Sequence, residues 1–378
     1  MSLEKMIRET PLWRPCGFPF WSRNITLVCY AEDLPAIGDI VGDAITRLCK
    51  AVLLVDHDTT SPRELRSATD GAGAAIPIDS LRKLPSLINT DIVFFGKAFE
   101  YKKLVSGCES IQHFGFHSFF VYMPIPYNYG ITTTHIPDYL ADNRKNLEFA
   151  YALLEDEESK RIFAARIRAI ITGNIGYIRL SRFSEYYHPL VRPQAGDIIL
   201  DGGMSSYIEP QLEFCQTIGD AGHLYGFEPE PNGFNKALAQ IQARPDIANF
   251  TIVPLGLWEE DTTLQFTVMG PGSHVGLGGE GAVVDCRMTT IDNFVREHKI
   301  QHVSLIKLDV EGSELQALRA GIETIMAFKP RLAISLYHLP QDLYELPFFI
   351  KTLLPDCKFY LGHHHPSLHE TILYVLPE

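Results

Sequence analysis

The sequence predicts an α/β protein with two Rossmann-like sheets, the second larger and mostly parallel with an antiparallel terminal hairpin. Three observations predict it. Apolar runs with strand character alternate with helical patterns in both halves of the chain. In the second half, five of these runs each lead into a polar or glycine position: Asp197–Leu200 into Asp201, His223–Phe227 into Glu228, Phe250–Leu255 into Gly256, Ser304–Leu308 into Asp309, and Arg331–Leu336 into Tyr337-His338. The last two runs, Lys358–Leu361 and Thr371–Leu376, are nine residues apart with no helical pattern between them, so they pair antiparallel.

Taken in order, residues 1–23 form an irregular lead-in rich in proline and aromatics. Residues 24–136 form the smaller α/β domain. Its strands are expected at 25–31, 51–55, 91–96 and 118–123, with a helix at 33–49 and a short helix at 62–69. The turn Cys29-Tyr30-Ala31-Glu32-Asp33-Leu34 has no glycine cluster and carries two acids where a pyrophosphate needs backbone N–H groups. An interaction or degenerate domain is therefore favoured there over a working nucleotide site, and a nicotinamide oxidoreductase reading is disfavoured with it. Asp56-His57-Asp58 reads as a solvated loop at a strand end rather than a metal site.

Residues 137–174 read as a helical connector with an acidic step, Glu155-Asp156-Glu157-Glu158, ahead of a basic run. The domain at 175–378 carries the chemistry. Beyond Asp309, apolar Leu315, Leu318, Ile322 and Ile325 fall on one helical face, with Ser313 as the expected N-cap.

Composition sets bounds on function. The chain has 378 residues, 46% hydrophobic and 21% charged, which is ordinary globular material able to bury a sizeable core. A net charge of −13 argues against a general nucleic-acid or anionic-membrane surface. Seven cysteines (16, 29, 49, 108, 215, 286 and 357) form no CxxC pair, which fits reduced thiols in the cytoplasm. No signal peptide and no apolar run long enough to span a membrane are seen. A homo-oligomer is left open.

The ends of the five strands in the second domain point to a ligand edge, because open parallel sheets bind ligands at the carboxyl ends of their strands. Asp201-Gly202-Gly203 follows the first strand but lacks the third glycine of a dinucleotide fingerprint, which disfavours NAD and FAD. An adenosine ligand without a pyrophosphate needs only one close backbone approach and a carboxylate. Glu228, at the second strand end, suits both ribose hydroxyls.

Here a resemblance becomes specific. Ile306-Lys307-Leu308-Asp309-Val310-Glu311-Gly312-Ser313-Glu314, with Leu318 and Gly321 in register, resembles the signature of the FkbM-type family of class I S-adenosylmethionine-dependent O-methyltransferases. Phe227-Glu228-Pro229, Asp292-Asn293-Phe294 and Ser335-Leu336-Tyr337-His338 resemble further family motifs, and the resemblance covers residues 197–376. The segment Leu153–Thr172 is similar to the one preceding this domain in two-domain members. The family pattern at the first turn is Asp-x-Gly-Ala-Asn-x-Gly. This chain keeps Asp201 and Gly203 but has Met204, Ser205 and Tyr207 in place of the rest. Either Tyr207 narrows the pocket or its ring stacks on the ligand edge.

The resemblance implies a fold, a cofactor and a set of roles. S-adenosyl-L-methionine would lie against Asp201, Gly202, Gly203, Ser205, Tyr207, Glu228, Pro229, Leu255, Gly256 and Asp309. Asp201 would hold the methionine amino group, Glu228 the ribose, and Asp309 would lie nearest the methyl and acceptor. A hydroxyl acceptor needs a base. His338 is the first candidate, since imidazole titrates near neutral pH, with Glu311 and Glu314 as rivals. The expected acceptor is a hydroxyl of a carbohydrate or another small metabolite, and the competing reading is a methyltransferase-fold scaffold without catalysis. No metal site is expected. His363-His364-His365 and His369 in the terminal hairpin loop read as solvated or substrate-facing, because adjacent histidines seldom converge on one ion. The glycine-rich segment 270–281 reads as a hairpin loop or an acceptor-site lid.

Overall fold

The computed structural model describes six strands between residues 25 and 122, together with residues 142–172, 178–204, 208–268, 274–275, 282–365 and 368–378. The chain divides into two compact units. One comprises 1–148, 161–179 and 365–369, and the other 149–160, 180–364 and 370–378. Among the described residues, no helix is long and apolar enough to cross a membrane.

In the first unit, β1 (Ile25–Cys29), β2 (Cys49–Leu54), β3 (Arg63–Leu65), β4 (Ile76–Ser80), β5 (Asp91–Phe95) and β6 (Phe119–Tyr122) form one sheet in the order β3-β4-β2-β1-β5-β6. All neighbours are parallel except β3, which runs antiparallel to β4. The short helix expected over 62–69 is instead strand β3, held by pairing with β4. β4 itself escaped sequence reading because Pro77, which lacks a backbone donor, interrupts its pattern. The expectations for residues 1–23, the helix at 33–49 up to Leu48, the turn at 30–34 and Asp56-His57-Asp58 lie outside the described residues.

Two helices follow, α1 (Arg144–Leu153) and α2 (Glu157–Thr172). Asp156 separates them: its Oδ1 accepts the Ser159 backbone N–H at 2.7 Å, satisfying an otherwise orphaned donor at the start of α2. Glu157 and Glu158 in that first turn complement the helix dipole.

The second unit is a βα alternation. β7 (Ile198–Gly202), α3 (Glu209–Ile218), β8 (His223–Phe227), α4 (Pro231–Gln242) and β9 (Phe250–Val253) come first. Four strands then make a separate small sheet: β10 (Gly256–Leu257), β11 (Thr262–Val268), β12 (His274–Val275) and β13 (Ala282–Thr289), ordered β10-β13-β11-β12. The chain returns through α5 (Ile291–Glu297), β14 (Leu305–Leu308), α6 (Glu314–Arg319), α7 (Ile322–Phe328) and β15 (Arg331–Ser335). It finishes with α8 (Asp342–Leu353), β16 (Lys358–His363) and β17 (Thr371–Leu376).

The main sheet has the order β16-β17-β15-β14-β7-β8-β9. Only β17 runs against its neighbours β15 and β16, as expected for the terminal hairpin. From β7 the chain passes outward to β8 on one side, while β14 lies on the other, so the strand order reverses between β7 and β14. Such a reversal is where open α/β sheets place their ligand crevice, at the carboxyl ends of the two strands. The central strands are buried along their length, with Ile199, Leu200, Ile306, Leu308, Leu332 and Ile334 all at 0% exposure. Such continuous apolar strands are what a sheet covered on both faces requires. At the opposite end, Arg331 Nη2 meets both carboxylate oxygens of Asp197 at 2.6 Å and pins β15 to the start of β7.

Two differences from the sequence reading have physical causes. The single helix expected after Ser313 is broken into α6 and α7 at Gly321. A Cβ at Gly321 would press on Ile291, and Asp292 caps the new helix by accepting from Glu323 N at 3.1 Å and Thr324 N at 2.8 Å. Ser313 holds the N-cap position of α6, yet its hydroxyl makes no capping bond. The four-stranded sheet had no counterpart among the expected elements, and its β11 and β13 flank part of the glycine-rich segment, most of which lies outside the described residues.

Candidate active site

Asp201, near the end of β7, is fully buried, and both its oxygens are engaged. Oδ1 lies 2.9 Å from Lys307 Nζ, and Oδ2 accepts from Gln211 Nε2 at 2.7 Å. Register explains the pairing: Lys307 of β14 lies directly beside Asp201. The ammonium also donates to the Gly203 carbonyl at 2.8 Å and stands 5.3 Å from the centre of the Tyr186 ring. Asp201 is thereby tied to the turn through Lys307 and to α3 through Gln211.

The glycines of this turn have a structural cause. Gly203 has φ +80°, and a Cβ there would collide with the backbone carbonyl of Asp309. Gly202 packs on Leu308 and Leu257. Met204 is buried in the core against Gly226 of β8, where a Cβ would meet its sulfur, so the glycine makes room for the larger residue. Ser205 and Tyr207 lie outside the described residues.

Glu228 follows β8 on the same edge and is partly buried. Its Oε1 accepts the Glu230 backbone N–H at 2.9 Å, while burial, only partly offset by that bond and by Lys307, pushes its pKa up to about 7. Glu230 in turn caps α4, accepting from Asn232 N and Gly233 N at 2.9 and 2.6 Å. Pro229 abuts Gly256, which brings the segment after β9, including Leu255, beside the end of β8.

Asp309 follows β14 and is surrounded by hydroxyls. Oδ1 accepts from Tyr337 at 2.8 Å and Ser335 at 2.9 Å, and Oδ2 accepts from Tyr186 at 3.2 Å. Burial works to raise its pKa. Lys307, His338 and the hydroxyls of Tyr337 and Ser335 outweigh it and hold the group below the usual carboxylate range. Ser335 and Tyr337 come from the end of β15, so this cluster ties together the two strands beside the crevice.

His338 is buried at 4% exposure among three carboxylates. Nδ1 lies 2.9 Å from Glu314 Oε1, while Nε2 points between Glu311 Oε2 at 3.4 Å and Asp309 Oδ1 at 3.5 Å. Burial opposes the imidazolium, but Glu314, Glu311 and Asp309 prevail and push the pKa up to about 10. Glu311 sits in the left-handed region at φ +53°, a conformation costly for a residue with a side chain. Burial, opposed by His338, pushes its pKa up to about 7.

Glu185 and Glu370 add a second acidic pair facing Asp309. Their side chains hydrogen-bond each other, which requires one of them to keep a proton. Burial, with the charges of Asp309 and Glu185, pushes Glu370 up to about 10.

The hairpin histidines do not converge. His363 Nδ1 pairs with Thr371 Oγ1 at 2.7 Å, and His364 Nε2 pairs with the Tyr374 hydroxyl at 3.0 Å. Among the described residues, one group has donor atoms close enough together for an ion, namely Asp309, Glu314 and His338. Within it, Glu314 Oε1 is hydrogen-bonded to His338 Nδ1 and Asp309 Oδ1 accepts from Ser335 and Tyr337, while His338 Nε2 has no hydrogen-bond partner.

Register thus brings Asp201, Glu228, Asp309, Glu311 and His338 to one edge of one sheet. Sequence reading missed Glu185, Tyr186, Gln211 and Glu370, which sit outside any motif. Tyr337 and Ser335 were visible as part of the fifth strand end, though not as partners of Asp309.

Residues 208–361 match the family model described as the methyltransferase FkbM domain. The structure is similar to that of the methyltransferase FkbM from Methylobacillus flagellatus KT, with 19% identity, a TM-score of 0.62, and coverage of 94% of this chain and 90% of that one. Looser similarities are to Aeropyrum pernix fibrillarin in complex with S-adenosyl-L-methionine (16% identity, 50% and 70% of the two chains, TM-score 0.33). Another is to an S-adenosylmethionine-dependent methyltransferase from Aquifex aeolicus (12% identity, 48% and 82%, TM-score 0.27). No curated protein matches the chain. The sheet order agrees with the family match, which places a methyltransferase FkbM domain at residues 208–361.

Proposed function

We propose that the protein is an S-adenosylmethionine-dependent O-methyltransferase that alkylates a hydroxyl of a carbohydrate or another small hydroxylated metabolite. The observation that carries this reading is the meeting of Glu228, Asp201 and Asp309 at the ends of three adjacent strands around Lys307. The donor set fits the cofactor. Glu228 keeps one oxygen without a protein donor in the hydrogen bonds described, on a desolvated carboxylate suited to a pair of ribose hydroxyls. Gly202, Gly203, Pro229, Leu255 and Gly256, at or after the ends of β7, β8 and β9, would meet the adenosyl portion.

When bound, S-adenosylmethionine supplies an electrophilic methyl group on a sulfonium. The chain's own contribution is positioning and proton handling. Lys307 fixes the first turn against β14. Asp309, held below the usual carboxylate range by Lys307, His338 and the hydroxyls of Tyr337 and Ser335, places negative charge at this edge. Glu311 takes the proton that the acceptor hydroxyl sheds, since its pKa near 7 lets it both ionise and accept at neutral pH. His338 is disfavoured as the base because three carboxylates keep it protonated.

The test is transfer of an isotopically labelled methyl group from S-adenosylmethionine to a panel of sugars, polyols and phenols, with the product identified by mass spectrometry. Label on an acceptor oxygen supports the reading. Label on nitrogen or carbon, or no transfer by a protein that binds S-adenosylhomocysteine, contradicts it.

A further inference from the structure

The contacts of Glu314 with both His338 and the turn carrying Glu311 extend the proposed mechanism, on which this inference rests. Glu314 Oε1 accepts from His338 Nδ1 at 2.9 Å and from the Val310 backbone N–H at 2.9 Å. A single buried carboxylate thus fixes the imidazole ring and the peptide that precedes Glu311. Glu311 is in turn held in the left-handed region at φ +53°, a strain that persists only where surroundings enforce it. The other ring nitrogen, His338 Nε2, is buried and has no hydrogen-bond partner, although Glu311 Oε2 lies 3.4 Å away.

We propose that Glu314 and His338 are positioning residues for Glu311: Glu314 clamps the ring and the turn, and His338 serves as a fixed imidazolium that orients the Glu311 carboxylate and tunes its basicity. Charge complementarity supports the assignment. His338 is faced by Glu314 from α6, by Glu311 and Asp309 from the turn after β14, by Asp342 from α8, and by Glu370 from the start of β17. Glu311 is faced by His338, Asp309, Glu314, Lys307 and Tyr337. An imidazolium is the cation nearest to Glu311 Oε2 among the contacts described. Removing its charge should make Glu311 harder to ionise. A neutral His338 would instead present a free Nε2 lone pair with Glu314 behind it, the arrangement of a histidine base. The two states predict opposite titrations.

The experiment uses the full chain labelled with ¹⁵N-histidine, with His338 assigned by comparison with His338→Gln. The proposal expects the His338 ring nitrogens to stay in the imidazolium state from pH 6 to above pH 8. It also expects the midpoint to drop by at least one unit in Glu314→Gln. Glutamate carboxyl ¹³C shifts should show Glu311 titrating at higher pH in His338→Gln than in wild type. A His338 midpoint near its ordinary value would overturn the proposal and make His338 the base. An unmoved Glu311 midpoint in a folded His338→Gln would overturn the tuning role. S-adenosylhomocysteine binding, measured on the same samples, reads the cofactor assignment separately. Its absence in wild type removes the proposed function, whereas its presence with an unaltered Glu311 removes only this inference.

Discussion

Lys307 Nζ lies 2.9 Å from Asp201 Oδ1, a buried ion pair between residues opposite each other on neighbouring parallel strands. The pair is 5% and 0% exposed, so neither charge has water to fall back on. The same ammonium holds the Gly203 carbonyl and biases Asp309, Glu185, Glu228 and Glu311, so one cation organises the acidic edge. Lys307→Ala should destabilise the fold by about 3–5 kcal/mol, because it strands the Asp201 carboxylate. The double variant Lys307→Met with Asp201→Asn should recover part of that loss. Denaturant unfolding measures both, and a Lys307→Ala variant of wild-type stability would show that the pair contributes little.

The break between α6 and α7 is stabilised from another helix. Asp292 accepts from two backbone donors at the start of α7, so Asp292→Ala should cost about 1 kcal/mol. Its carboxylate takes no part in the acidic edge, so S-adenosylhomocysteine affinity should stay the same. Thermal melts and calorimetry on one sample check both halves.

The edge also sets the pH dependence of stability. Glu228 and Glu311 are pushed up to about 7 and Glu370 to about 10, all above the ordinary carboxylate value, so the folded chain binds these protons more tightly than the unfolded chain. That contribution is lost as pH rises from about 5 through the folded values. His338, raised to about 10, adds stability present below its ordinary value and lost as pH climbs through about 10. The ligand-free protein should therefore melt at lower temperature at pH 8 than at pH 5.5, with Glu311→Gln flattening the slope between pH 5 and 7. Rising melting temperatures over that interval would contradict the charge assignment.

Much of this architecture was legible in the residues. The ends of β7, β8, β14 and β15 follow from apolar runs that stop at Asp201, Glu228, Asp309 and Tyr337-His338, and the short loop after β16 requires an antiparallel β17. Other features were present but overlooked. In β13, buried Cys286 and Met288 alternate with exposed Asp285 and Arg287, a period-two signal that names a strand. The α6–α7 break depends on Asp292, which is distant in sequence from the donors it caps, so local periodicity could not reveal it.

The site was less legible than the sheet. Residue type suggested a histidine base, while the three carboxylates around His338 converge only in the fold. Tyr186 and Glu185 lie ahead of β7 in a segment with no periodicity, and only folding brings them to Asp309. The glycines after Asp201 suggested a ligand approach, while Gly203 also answers to the nearby Asp309 carbonyl.

The most direct measurement is isothermal calorimetry of S-adenosylhomocysteine with wild type, Glu228→Gln and Glu228→Ala. Wild type should bind with micromolar affinity. Both variants should lose at least tenfold in affinity and keep their folded circular dichroism, because Glu228 accepts only one backbone bond in the contacts described. No binding by wild type, or affinity untouched by removal of the Glu228 carboxylate, would contradict the cofactor assignment.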